Sequence, residues 1–124
     1  MANGASFIEY KGREIYFIDY THIKTTDVFL EVIKGTNAIR EETRAKGKRN
    51  LLMLVDVTGS YIYNEVLDAL KRAGKATKEI TKKEAIVGIT GAKKILLRIF
   101  QLFTGMQIRQ FDTLTEAKDW LIQD

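Results

Sequence analysis

The sequence predicts a single α/β domain with a largely parallel sheet, in the order β-β-α-β-α-β-α-β-α, and three observations predict it. Short apolar, β-branched runs alternate with stretches whose apolar residues recur at helical spacing, the pattern of strands joined by crossover helices. The two most apolar runs, residues 51–57 and 85–89, each end in a Thr-Gly dipeptide, Thr58-Gly59 and Thr90-Gly91, ahead of a helical stretch. With 124 residues and 45% hydrophobic content the chain can cover one sheet with helices, so residues 1–124 read as one domain around one core.

The elements follow in order. Residues 7–10 and 14–20 are aromatic and β-branched and are joined by Lys11-Gly12, where Gly12 can supply the positive φ of a tight turn, which predicts an N-terminal antiparallel hairpin. From Thr25 to about Lys46, Val28, Val32, Ile33 and Ile39 mark one face of a long helix, with Thr25 or Thr26 as N-cap and Gly47 as stop. Gly35 inside it is read as a soft spot costing about 1 kcal/mol against Ala. Residues 51–57 are apolar apart from Asp56, as expected of a central strand covered on both faces. A second helix starts near Asn64 and carries Val66, Leu67, Leu70 and Ala73. After a basic connector from Lys78 to Lys83 come a strand at 85–89 and a third helix at 91–103. Ile108 and Phe111 bracket a last short strand, and Thr113 with Glu116 has the spacing of a capping box for a final helix carrying Ala117, Trp120 and Leu121.

Composition narrows the function classes. The chain has no Cys, which removes disulfides, thiolate nucleophiles and thiolate metal sites and suits a reducing compartment; a cytoplasmic location is the expectation. The opening Met-Ala-Asn-Gly-Ala has neither the basic nor the apolar region of a leader, and no apolar run approaches the roughly 20 residues of a membrane span. A net charge of +4 is small beside that of dedicated nucleic-acid binders, so nucleic acid is not an expected partner.

The strand order, the segment Leu-Leu-Met-Leu-Val-Asp-Val-Thr-Gly at 51–59 and the closing Phe-Asp-Thr-Leu-Thr-Glu-Ala-Lys-Asp-Trp-Leu at 111–121 resemble the small bacterial STAS/SEC14-like family, also described as SpoIIAA-like. The resemblance covers nearly the whole chain. It implies a SpoIIAA-like β-α superhelix shared with anti-sigma factor antagonists and with lipid-binding CRAL-TRIO domains, a fold that does not itself assign a function. Anti-sigma factor antagonists are phosphorylated on a Ser or Thr, and Asp56-Val57-Thr58-Gly59 fits a loose form of their motif, which makes Thr58 a candidate phosphoacceptor. In that family, however, the phosphorylated motif follows later, at the opening of the helix. There this chain has Tyr61-Ile62-Tyr63-Asn64-Glu65, with no Ser or Thr before a Gly. The resemblance thus implies a module without the usual phosphoswitch.

Three constellations stand out from the residues themselves. Asp56, Thr58, Gly59 and Ser60 form a turn entering a helix, where free backbone N–H groups and hydroxyls can bind an anion or simply build the turn. Thr90 and Gly91 precede Lys93 and Lys94 in the first turn of the third helix, where cations are unfavourable unless an anion, a carboxylate or solvent offsets them. Leu96, Leu97, Ile99, Phe100 and Phe103, with Ile95 and Leu102, wrap the third helix more completely than one core-facing stripe requires. They are expected either to be covered by neighbouring elements, to line a pocket for an apolar ligand, or to form an interface.

His22 is the sole histidine and reads as a surface or core-edge residue. Asp19, Asp56 and Asp112 fall near strand ends, where they could converge or cap turns. No catalytic triad ordering, phosphate-binding lysine loop or metal signature is present, so no catalytic residue, metal or cofactor is expected. The expectation is a non-enzymatic regulatory or protein-interaction module, acting on a protein partner or as a homodimer. A carrier or sensor of a lipid or other small apolar ligand is the alternative.

Overall fold

The computed structural model describes residues 3–123; Met1, Ala2 and Asp124, the ends of the expected 1–124 domain, lie outside the described residues. Strands β1 (Gly4–Tyr10) and β2 (Arg13–Asp19) form the antiparallel hairpin. Lys11 and Gly12 between them both have positive φ, 49° and 81°, the backbone of a type I′ turn, whose twist matches that of the flanking strands. Helix α1 (Thr26–Ala45) starts at Thr25, whose hydroxyl accepts from the Val28 N–H, and ends where the Gly47 N–H donates to the Arg44 carbonyl at 2.9 Å. Strand β3 (Leu51–Asp56) is buried along its whole length. It is followed by α2 (Asn64–Thr77), a 3₁₀ turn (Lys78–Ile80), β4 (Thr81–Val87), α3 (Lys93–Thr104), β5 (Ile108–Phe111) and α4 (Leu114–Leu121). Half of the capping box forms: the Glu116 N–H donates to the Thr113 hydroxyl at 3.2 Å, while the Glu116 carboxylate accepts from that hydroxyl at 3.0 Å.

The five strands lie in chain order, β1-β2-β3-β4-β5, with only β1 antiparallel. Right-handed crossovers between parallel strands added always on the same side put every connecting helix on the same face. Accordingly α1, α2 and α3 cover one face, over a core that includes Tyr16, Phe29, Met53, Val66 and Ile86. With no strand to follow it, α4 is free to cover the other face, over Ile15, Leu52, Leu54, Ala85 and Val87.

Two expected boundaries are corrected. Strand β4 begins at Thr81 rather than at residue 85, so Lys82, Lys83 and Glu84 belong to the sheet. The Lys83 ammonium explains part of this, since it donates to the Trp120 and Gln123 carbonyls at 2.6 and 3.0 Å and so satisfies the C-terminal end of α4. Helix α3 begins at Lys93 rather than Gly91, because Gly91 has a positive φ of 56° and still belongs to the turn.

Candidate functional site

The carboxyl ends of β2 and β3 carry the same device. Asp19 and Asp56 are cross-strand partners, and each uses one carboxylate oxygen to accept from both the backbone N–H and the hydroxyl of the Thr two residues on. The distances are 2.9 and 2.7 Å at Thr21, and 2.9 and 2.6 Å at Thr58. Pairing then continues beyond the strands through Tyr20 N–H to the Asp56 carbonyl and His22 N–H to the Thr58 carbonyl, both 2.9 Å. Ser60 is buried; its hydroxyl donates to the Tyr20 carbonyl and accepts from the Ile23 N–H. His22 lies against Gly59 so closely that a Cβ there would stand 2.4 Å from its Nδ1.

The third-helix turn joins this cluster through one residue. Lys93 donates to the carbonyls of Val57 and Gly88 at 2.9 and 3.2 Å, and burial, aided by the Lys24 charge, lowers its pKa. Those carbonyls answer the cation at the helix start. Lys94, Thr90 and Gly91 are exposed and stand apart from it. Asp112 is exposed beyond β5, so of the three strand-end carboxylates only Asp19 and Asp56 come together. Among the described residues no group of three or more His, Cys, Asp or Glu side chains could hold a metal ion.

The second feature is a cavity under α3. That helix rests mainly on α2 rather than on the sheet. The contact depends on Gly74, where a Cβ would stand 2.4 Å from the tip of the Phe100 ring and 3.1 Å from Thr104. Only Leu97 and Thr104 of α3 are buried. Between α3 and the sheet lies a cavity of about 100 Å³. Its floor is the cross-strand row Tyr16, Met53, Glu84 and Ile108, with Ile18, Val55 and Ile86 in the next row. Thr36, Asn37 and Arg40 of α1 form one wall, Leu67, Leu70 and Ala73 of α2 another, and Leu96, Leu97 and Phe100 of α3 the roof.

Polar groups gather at the α1 side. The Tyr20 hydroxyl lies 3.1 Å from that of Thr36, which itself donates to the Val32 carbonyl, so Tyr20 is the donor in the pair. The Arg40 guanidinium is held by the Asn37 side chain at 2.7 Å and by Glu41 at 3.2 Å, with its side chain only 11% exposed. Among the described residues, two buried side-chain oxygens have no hydrogen-bond partner: the Tyr16 hydroxyl and Oε1 of Glu84. Burial pushes the Tyr16 pKa up to about 12 and that of Glu84 up to about 7. Both groups therefore favour their neutral forms, as desolvation requires.

The sequence-predicted residues divide between these places. Asp56, Thr58, Gly59, Ser60 and Lys93 come together at the strand ends. Leu96, Leu97 and Phe100 roof the cavity, while Ile99 and Phe103 face outward with Ile95 and Leu102, which are 66% and 80% exposed. The ammonium groups of Lys71 and Lys75 lie 4.7 and 4.4 Å from the Phe103 ring centre. Sequence reasoning missed Tyr16, Arg40 and Glu84. Alternation from Ile86 back to Glu84 was the available signal for the last, and the preceding lysines masked it.

A family model described as SpoIIAA-like matches residues 16–122. The structure of an uncharacterized protein from the DUF3478 family with a SpoIIAA-like fold, from Shewanella loihica PV-4, aligns with a TM-score of 0.70 over 98% of this chain and 96% of that one. At 14% identity, that likeness is one of fold. No curated protein matches the chain.

Proposed function

This chain belongs to the SpoIIAA-like family, and we propose that within it the protein is a non-enzymatic carrier or sensor that takes a small, largely apolar ligand beneath α3. One observation carries the reading: an apolar cavity between α3 and the sheet contains two buried oxygens, on Tyr16 and Glu84, that the protein leaves without partners. Buried polar atoms are nearly always satisfied, and an unmet one costs about 1–3 kcal/mol. A site that keeps two of them on an otherwise apolar floor is shaped for a guest that supplies the missing partners. The roof helix, seated on α2 instead of the sheet, can ease outward to admit it.

Native mass spectrometry of the freshly purified protein tests this. Wild type is expected to retain a small non-peptide mass, and Leu97→Trp, which fills the cavity from its roof, to lose it. Absence of any such mass in wild type, together with no uptake of added small apolar compounds, would count against the carrier reading.

A regulatory or protein-interaction role is a second reading, favoured by the exposed apolar outer face of α3. Because the same helix roofs the cavity, ligand entry would move the surface that a partner reads. The Thr58 side chain is exposed, with its hydroxyl bonded to Asp56; what supports a module without the usual phosphoswitch is that residues 61–65 hold no Ser or Thr before a Gly. Sedimentation of wild type and Leu102→Lys tests self-association through this face; identical behaviour would sink a homodimer built on it.

A further inference from the structure

We infer that the cavity selects a ligand with a small apolar body and an uncharged head that both donates and accepts a hydrogen bond, of the alcohol or phenol class. This rests on the proposed ligand-binding reading and adds the chemistry of the guest.

The geometry of the floor sets the head. Tyr16 and Glu84 belong to one row of the sheet, with Met53 between them on β3. Their backbones stand two strand spacings apart, roughly 10 Å. Neither bonds the other, and each has a buried oxygen without a partner. A head group lying above Met53 can reach both side chains, and a hydroxyl can donate to one while accepting from the other.

The charges on the wall argue against an ionic head. Arg40 is a permanent cation at the α1 side and Lys93 adds a second cation to the lining, so a buried ammonium would meet like charge. An anionic head would have to shed its hydration beside cations that are already engaged, Arg40 with Asn37 and Glu41 and Lys93 with the Val57 and Gly88 carbonyls. A neutral head meets neither obstacle. Size follows from the volume: a cavity of about 150 Å³ lined by apolar side chains takes up benzene, so about 100 Å³ suits one ring or a short branched chain with slight easing of the roof.

The test compares four probes that share a single benzene ring by calorimetric titration of the full chain at about pH 6: phenol, benzene, benzoate and benzylamine. Phenol is expected to bind about tenfold more tightly than benzene, the scale of one or two buried hydrogen bonds, and both more tightly than the charged probes. Tyr16→Phe and Glu84→Met, which remove the two oxygens at nearly constant volume, are each expected to shrink the phenol preference while leaving benzene binding in place. Equal binding of phenol and benzene to wild type would overturn the head-group assignment and leave the apolar site standing. Tighter binding of benzoate or benzylamine than of phenol would overturn it in favour of a charged head. Failure of all four probes would overturn the ligand site itself, leaving a cavity that holds only water.

Discussion

Tyr16 on β2 and Glu84 on β4 flank Met53 in a single cross-strand row, and each turns into the cavity a buried oxygen for which the protein supplies no partner. The relationship sets both a cost in stability and a site, and the two can be measured separately.

Glu84 should make the fold sensitive to pH. Its carboxyl ordinarily titrates near 4.5, and burial raises it to about 7. The folded protein thus holds this proton more tightly than the unfolded chain does. The resulting stabilisation is complete below about pH 4.5, falls as pH rises and is gone above about 7, a loss on the order of 3 kcal/mol. Glu84→Gln keeps the shape and cannot ionise. Urea unfolding from pH 4.5 to 8 is expected to show wild type losing stability relative to the variant across that window, and parallel curves would contradict this.

Tyr16→Phe should separate stability from binding. The hydroxyl it removes is buried and unpartnered, so its loss relieves a desolvation cost and is expected to leave the fold as stable or to raise it by up to about 1 kcal/mol. Phenol affinity should fall in the same variant. A destabilised Tyr16→Phe protein would mean that the hydroxyl has a partner after all.

Two glycines predict opposite signs. At Gly88, φ is 94° and a Cβ would stand 2.4 Å from the Thr58 backbone nitrogen, so Gly88→Ala strains the backbone and pries the two strand-end turns apart. A loss of about 3 kcal/mol is expected. A Cβ at Gly35, within α1, meets nothing within 4 Å, and Gly35→Ala should stabilise by about 0.5–1 kcal/mol through helix propensity. Thermal unfolding of the pair checks both.

Thr58→Glu should weaken the fold whether or not any partner reads this turn. It removes a 2.6 Å hydrogen bond to Asp56 and sets a second carboxylate beside the first, for a loss of about 1–2 kcal/mol. Thr58→Val, which loses only the hydrogen bond, should cost about 1 kcal/mol. Equal stabilities for Glu and Val variants would show that charge at this turn is freely tolerated. If the turn does carry a phosphoswitch, partners captured from a native lysate by wild type should differ from those captured by Thr58→Glu.

Much of the fold was legible because it depends on local pattern. The Lys11-Gly12 turn, the Thr25 and Thr113 caps and the unbroken burial of β3 all follow from residues adjacent in the chain. The apolar residues of α3 exceed what one core-facing stripe requires, and the structure divides them into Leu96, Leu97 and Phe100 inward and Ile99 and Phe103 outward, where they are exposed. Glu84 was hidden because a charged residue after Lys82 and Lys83 reads as connector; once β4 is seen to begin at Thr81, alternation with Ile86 turns it inward, beside Met53 and, through Met53, in line with Tyr16. Likewise the cavity arises from the seat of Phe100 on Gly74, a contact between two helices that no local periodicity specifies.

Intermolecular nuclear Overhauser effects between phenol and the methyl groups of the protein test the central claim most directly. A ligand site beneath α3 predicts contacts from the phenol ring to Leu70, Ile86 and Leu97, which line the cavity, and their loss in Leu97→Trp. Contacts confined to Ile95 and Leu102 on the outer face of α3, or none at saturating phenol, would contradict it.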